Sequence, residues 1–125
     1  MPAITSYRDL RIWQQAMDIV PAVYQTLNHF PKHENYALAD QIRRAAISIP
    51  ANIAEGHGRN HRKEYAQFLS IANGSLAELD TLVELAHRLG YLDTKTRGEL
   101  DSRIQNLQRP IRTLINRLKD PPPNP

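Results

Sequence analysis

Four stretches of the chain repeat their apolar residues in alternating steps of three and four, and no stretch alternates in steps of two. The first period is that of one face of an α-helix, and the missing one is that of a half-buried strand. In the first stretch the stripe is Leu10, Trp13, Met17, Val20, Tyr24 and Leu27; in the second it is Leu38, Ile42, Ala45, Ile49 and Ile53. The third carries Tyr65, Leu69, Ala72, Leu76, Leu79, Val83 and Ala86, and the fourth Leu100, Ile104, Leu107, Ile111, Leu114 and Leu118. Breaks fall between them. Ser6 with Asp9 resembles a capping box, and Phe30-Pro31 ends the first helix near Asn28. Gly56 and Gly58 supply a stop, Asn60 a cap, Gly90 a second stop and Asp93 a second cap. The expectation is an all-α chain with helices over about residues 7–28, 34–55, 61–89 and 94–119, packed as an up-down-up-down four-helix bundle within residues 1–120. Pro21, Pro50 and Pro110 fall inside three of these stretches. Because the apolar rhythm stays in phase across each, they predict kinked helices rather than breaks. Residues 121–125, four of them proline, are expected to be a disordered tail.

At 125 residues, 41% hydrophobic and 23% charged, the chain is one ordinary globular domain's worth of sequence. It has no cysteine, which excludes disulfides and thiolate chemistry. No apolar run approaches the roughly 20 residues that span a bilayer, and the first six residues lack the features of a signal peptide. A cytoplasmic protein with no membrane partner is the expectation. Net charge is +3, unevenly spread. From Ser102 to Lys119 there are five cations and no acid, whereas Glu78 to Glu84 holds three acids and no cation. Such asymmetry suits a polyanion or a complementary subunit; the plainer alternative is a solvated helix face.

The polar residues complete no catalytic pattern. His29 and His33 have the i, i+4 spacing of metal ligands but Pro31 stands between them, and the same spacing in His57 and His61 is interrupted by Gly58. Glu84 with His87 is half of a di-iron motif, without the second pair and the two further inward carboxylates that such a site needs. Glu84 is placed on an outer, solvated face. No Arg precedes a His at the four-to-six spacing of small helical nucleases, and there is no Gly-x-Ser-x-Gly elbow or phosphate loop. The chain is expected to be no enzyme and to use no metal and no cofactor.

The segment Gln41-Ile-Arg-Arg-Ala-Ala-Ile-Ser-Ile-Pro-Ala-Asn-Ile-Ala-Glu-Gly56 is distinctive. With Asp9-Leu10 and Trp13, Phe30-Pro31, Glu34-Tyr36, Phe68-Leu69, Ala72-Asn73-Gly74-Ser75 and Leu89-Gly90-Tyr91-Leu92, it resembles the four-helix-bundle proteins encoded in intervening sequences of bacterial 23S rRNA genes. The resemblance runs over roughly residues 7–118. It extends to the accessory variability determinant proteins of diversity-generating retroelements, which form pentameric rings and act with a reverse transcriptase and nucleic acid. It therefore implies a homo-oligomer, a pentamer by analogy, with RNA or DNA and a nucleic-acid enzyme as partners.

Two surfaces follow from the residues themselves. Arg109, Arg112 and Lys119 share the arc of the fourth helix away from its core stripe, with Arg103 and Arg117 on the opposite flank. Arg59, Arg62 and Lys63 form a second basic group between helices two and three. Neither group contains the aromatic platform expected for reading single-stranded bases, so binding there would be electrostatic and weakly selective. On helix two, Ile47, Ala51 and Ala54 make an apolar strip opposite the core, flanked by Arg44, Ser48 and Glu55, and this is the candidate oligomer interface. Asn52 is placed to meet the Ala46 carbonyl freed by Pro50, and Ser48 and Ser75 also suit packing between helices. The competing reading is a protein-interaction scaffold whose cations serve solubility or subunit pairing.

Overall fold

The computed structural model describes residues 6–120. Four helices account for most of them: α1 (Arg11–Leu27), α2 (Leu38–His57), α3 (Arg62–Arg88) and α4 (Thr94–Lys119), with single 3-10 turns at Tyr7–Asp9 and Lys32–Glu34. No strand occurs among the described residues. Consecutive helices pack on one another and α1 closes against α4, while the backbones of the diagonal pairs stay farther apart. This is the square of an up-down-up-down bundle. The α2–α3 seam is the most extensive and the α1–α4 seam the slightest.

The core is a single cluster. Ile42, Ile49 and Ile53 of α2, Leu69, Leu76 and Leu79 of α3, and Ile104, Leu107 and Ile111 of α4 are almost wholly buried. The apolar stripes of these three helices lie where the periodicity puts them, with Ile115 joining the core on α4. On α1 the stripe is rotated. Ile12, Ala16, Ile19 and Val23 point inward, whereas Met17 and Tyr24 are 43% and 41% exposed and Trp13 and Val20 only half-buried. The two stripes are one residue apart, a 100° turn of the helix. The aliphatic one packs without polar atoms to satisfy, which the tyrosine and tryptophan cannot do.

Helix ends differ from expectation at several points. Ser6 accepts a hydrogen bond from the Arg8 amide at 3.1 Å, but it caps a 3-10 turn; Leu10 is extended and α1 starts after it. The Lys32–Glu34 turn stands apart from α2, which begins four residues later than Glu34. Gly56 lies inside α2 and Gly58 has φ −74°, so neither supplies left-handed backbone there. Asn60 does, at φ 61°, and therefore does not cap α3; His61 holds that position without a side-chain bond. Asp93 does cap α4, accepting from the Thr96 amide at 2.8 Å. At the other stop Gly90 is left-handed at φ 83°, with Tyr91 N–H bonded to Ala86 O and Gly90 N–H to His87 O. That pair of bonds is a complete Schellman motif. All three internal prolines lie within continuous helix. The proline-rich stretch 121–125 lies outside the described residues.

Candidate nucleic-acid interface

The alternating topology gathers the start of α1, the end of α2, the start of α3 and the end of α4 at one end of the bundle. Divided at mid-helix, that half carries nine Lys and Arg against five carboxylates, and the other half seven against eight. The excess positive charge is thus concentrated at one end. Arg103, Arg109, Arg112, Arg117 and Lys119 are all exposed, and among the described residues no carboxylate lies within ion-pair distance of any of them. Unpaired cations of this kind keep their full charge for an outside partner.

The two basic groups are partly one. Arg62, at the start of α3, donates to the carbonyls of Arg117 at 2.7 Å and Asp120 at 3.2 Å, closing the last turn of α4. Arg62, Lys63 and Lys119 then border one cleft of about 880 Å³ floored by Ala66, Ile71 and Leu118. Arg109 and Arg112 flank Pro110 on the outer side of α4 with Gln105, Asn106 and Gln108. Arg103 stands apart, in a groove between α4 and the end of α1 with Thr26 and His29. Arg59 is already engaged: it pairs with Glu55 at 2.7 Å and lies 5.1 Å over the Phe68 ring.

Two acids of α3, Asp80 and Glu84, are tied to the fourth helix. Arg97, its side chain only 15% exposed, bonds Asp80 at 2.9 Å and Glu84 at 3.0 Å, with Asp101 at 3.8 Å. Arg88 takes the other Glu84 oxygen at 2.9 Å, and hydrogen bonds from Arg88 and then Arg97 hold the Glu84 carboxyl below its ordinary pKa. The expectation of an outward Glu84 holds in part: its side chain is 38% exposed, but it is tied to Arg88 of its own helix and to Arg97 of the next, a partner too distant in sequence for a helix wheel to reveal. With both oxygens held by arginines, Glu84 has none turned to His87, whose ring instead lies 3.4 Å from Thr94.

On α2, Ile47 is 46% exposed and Ala51 is exposed, while Ala54 is half-buried. Arg44 pairs with Asp40 at 3.0 Å, and Glu55 is the partner of Arg59. Ser48 requires a correction as an interface residue. Its hydroxyl accepts from Ser75 of α3 at 2.8 Å and from Asn52 at 2.9 Å, so it belongs to the α2–α3 seam. Asn52 also donates to the Ser48 carbonyl rather than to that of Ala46. Further exposed apolar side chains lie on α3, at Ile71 and Leu85, and at its C-cap Leu89, where the sequence reading placed no surface. No helix among the described residues is long and apolar enough to cross a membrane.

Comparison with known proteins agrees with this architecture. A crystal structure from Bacteroides thetaiotaomicron, of a protein with unknown function from the S23 ribosomal protein family, superposes with a TM-score of 0.73. It is 20% identical in sequence, over 87% of this chain and 99% of that one, a likeness of fold. No curated protein matches. The model of the 23S rRNA-intervening sequence proteins matches residues 8–113, nearly the whole bundle, and the chain belongs to that family.

Proposed function

We propose that the protein is a non-catalytic cytoplasmic homo-oligomer, a pentamer by analogy with the ring-forming relatives, that binds RNA or DNA through its phosphates as an accessory to a nucleic-acid enzyme. The observation that carries this reading is the set of five exposed cations on α4, from Arg103 to Lys119, with no carboxylate among the described residues near enough to neutralise them. Arg and Lys in such an array meet phosphate oxygens, and Gln105 and Asn116 add donors for sugars and base edges. Ile47 and Ala51, exposed and apolar, support self-association through α2.

Binding of a labelled structured RNA over a salt series tests the reading. Phosphate neutralisation releases counterions, so affinity should fall steeply and log-linearly with salt. A protein that fails to bind at low salt would instead fit the scaffold reading. Light scattering should give several times the 14.3 kDa protomer mass, and a monomer would remove the oligomer from the proposal.

A further inference from the structure

The cleft between the start of α3 and the end of α4 is unlike the rest of the basic surface, because its floor is apolar. Ala66, Ile71 and Leu118 form that floor, and the cations Arg62, Lys63 and Lys119 stand around it with Gln67, Ser70 and one acid, Asp120. Ile71 is 51% exposed, a large aliphatic side chain open to solvent at the far end of the same cleft. The Ser70 hydroxyl is turned to its own helix, donating to the Ala66 carbonyl at 2.9 Å, and so adds little polarity. Arg62 is the fixed element. One guanidinium nitrogen donates to two carbonyls at the end of α4, which immobilises a planar group on an exposed residue.

Surfaces that bind only phosphates have no use for an apolar floor. A duplex keeps its bases stacked inside and presents its backbone, so it would leave Ile71 and Leu118 wet. A single strand can turn a base outward, and unpaired bases stack on arginine planes as well as on aromatic rings. We propose that this cleft seats unpaired bases of a nucleic-acid single strand, laid along the apolar floor from Arg62 and Leu118 towards Ile71, with Lys63 and Lys119 on the flanking phosphates. The volume of about 880 Å³ lies within the range of small-molecule sites, ample for one base and its sugar. The inference rests on the nucleic-acid reading above and deepens it: the preferred partner is single-stranded.

The test compares a short oligoadenylate, an abasic strand of the same length and a duplex, each binding to the full chain. Wild type should prefer the oligoadenylate to the abasic strand by about fivefold, the lower end of what stacking of one base on an aromatic ring gives, since the cleft offers an arginine plane and aliphatic side chains instead. Ile71→Ser, at an exposed position, and Arg62→Lys, which keeps the charge and loses the plane, should each lower the ratio of oligoadenylate to abasic affinity. Melting temperature checks that both variants are folded. If wild type binds oligoadenylate, abasic strand and duplex alike, the base site is overturned and the phosphate reading stands. If the ratio is unmoved in both variants, the cleft is overturned as its location. If wild type binds none of the three, both readings fall together.

Discussion

At the scale of single residues, the α2–α3 seam depends on what is missing from Gly56. A Cβ built there would lie 2.7 Å from the Phe68 Cβ and 3.1 Å from the Tyr65 ring, and a Cβ atom cannot swing aside as a side-chain tip does. Gly56→Ala should therefore cost about 1–3 kcal/mol, the usual penalty for overpacking, seen as a lowered urea midpoint. No loss would mean that the helices separate freely. The glycine is conspicuous in the sequence, but its reason is not: beside Gly58 it reads as a helix stop, and only the neighbouring helix reveals the close approach. Ser48 is similar, since its partner Ser75 is 27 residues away. Titration is also read at this scale. The Glu84 carboxyl is depressed by hydrogen bonds from Arg88 and Arg97. A group with a lowered folded pKa stabilises above its unfolded value and loses that contribution as pH falls through the folded one. Stability measured from neutral pH into the acid range should fall, and Glu84→Gln should fall less steeply while starting lower. An unchanged acid profile in that variant would show that the hydrogen bonds from Arg88 and Arg97 contribute nothing.

At the scale of helices, legibility depends on how many apolar faces each one carries. α2, α3 and α4 have one dominant stripe, and periodicity locates it. α1 has two stripes side by side; the aromatic one reads as the core in sequence, although the aliphatic one fills it. Ile19→Ala should cost about 2–5 kcal/mol, as for other fully buried aliphatics. Met17→Ala, on the exposed face, should stay within about 0.5 kcal/mol of wild type. The reverse order in denaturation would mean that α1 is rotated back. Helix ends are legible where a side chain or a left-handed glycine alone sets them, as at Asp93 and Gly90. They are not where several signals compete, as at Asn60, which has the residue type of a cap and the backbone of a turn.

At the scale of the molecule, the bundle turns a modest net charge into a polarised one. Chain order alone separates Arg62 and Lys63 from Lys119, and the square packing unites them beside the end of α4. The basic run of α4 is visible in sequence; its union with the start of α3, and the diversion of Asp80 and Glu84 into the Arg97 tie, are not. The functional reading turns on α4 holding phosphates. Arg109 and Arg112 are exposed, lie beyond ion-pair distance of any described carboxylate, and are remote from the core. Replacing both with alanine should leave melting temperature and oligomer mass unchanged. The decisive quantity is the slope of log affinity against log salt for duplex DNA, in wild type and in the Arg109→Ala, Arg112→Ala variant. If these arginines neutralise phosphates, the variant binds more weakly across all sequences, with a slope shallower by roughly one unit for each phosphate left unneutralised. Equal affinity and equal slope in the two proteins would contradict a phosphate-binding α4.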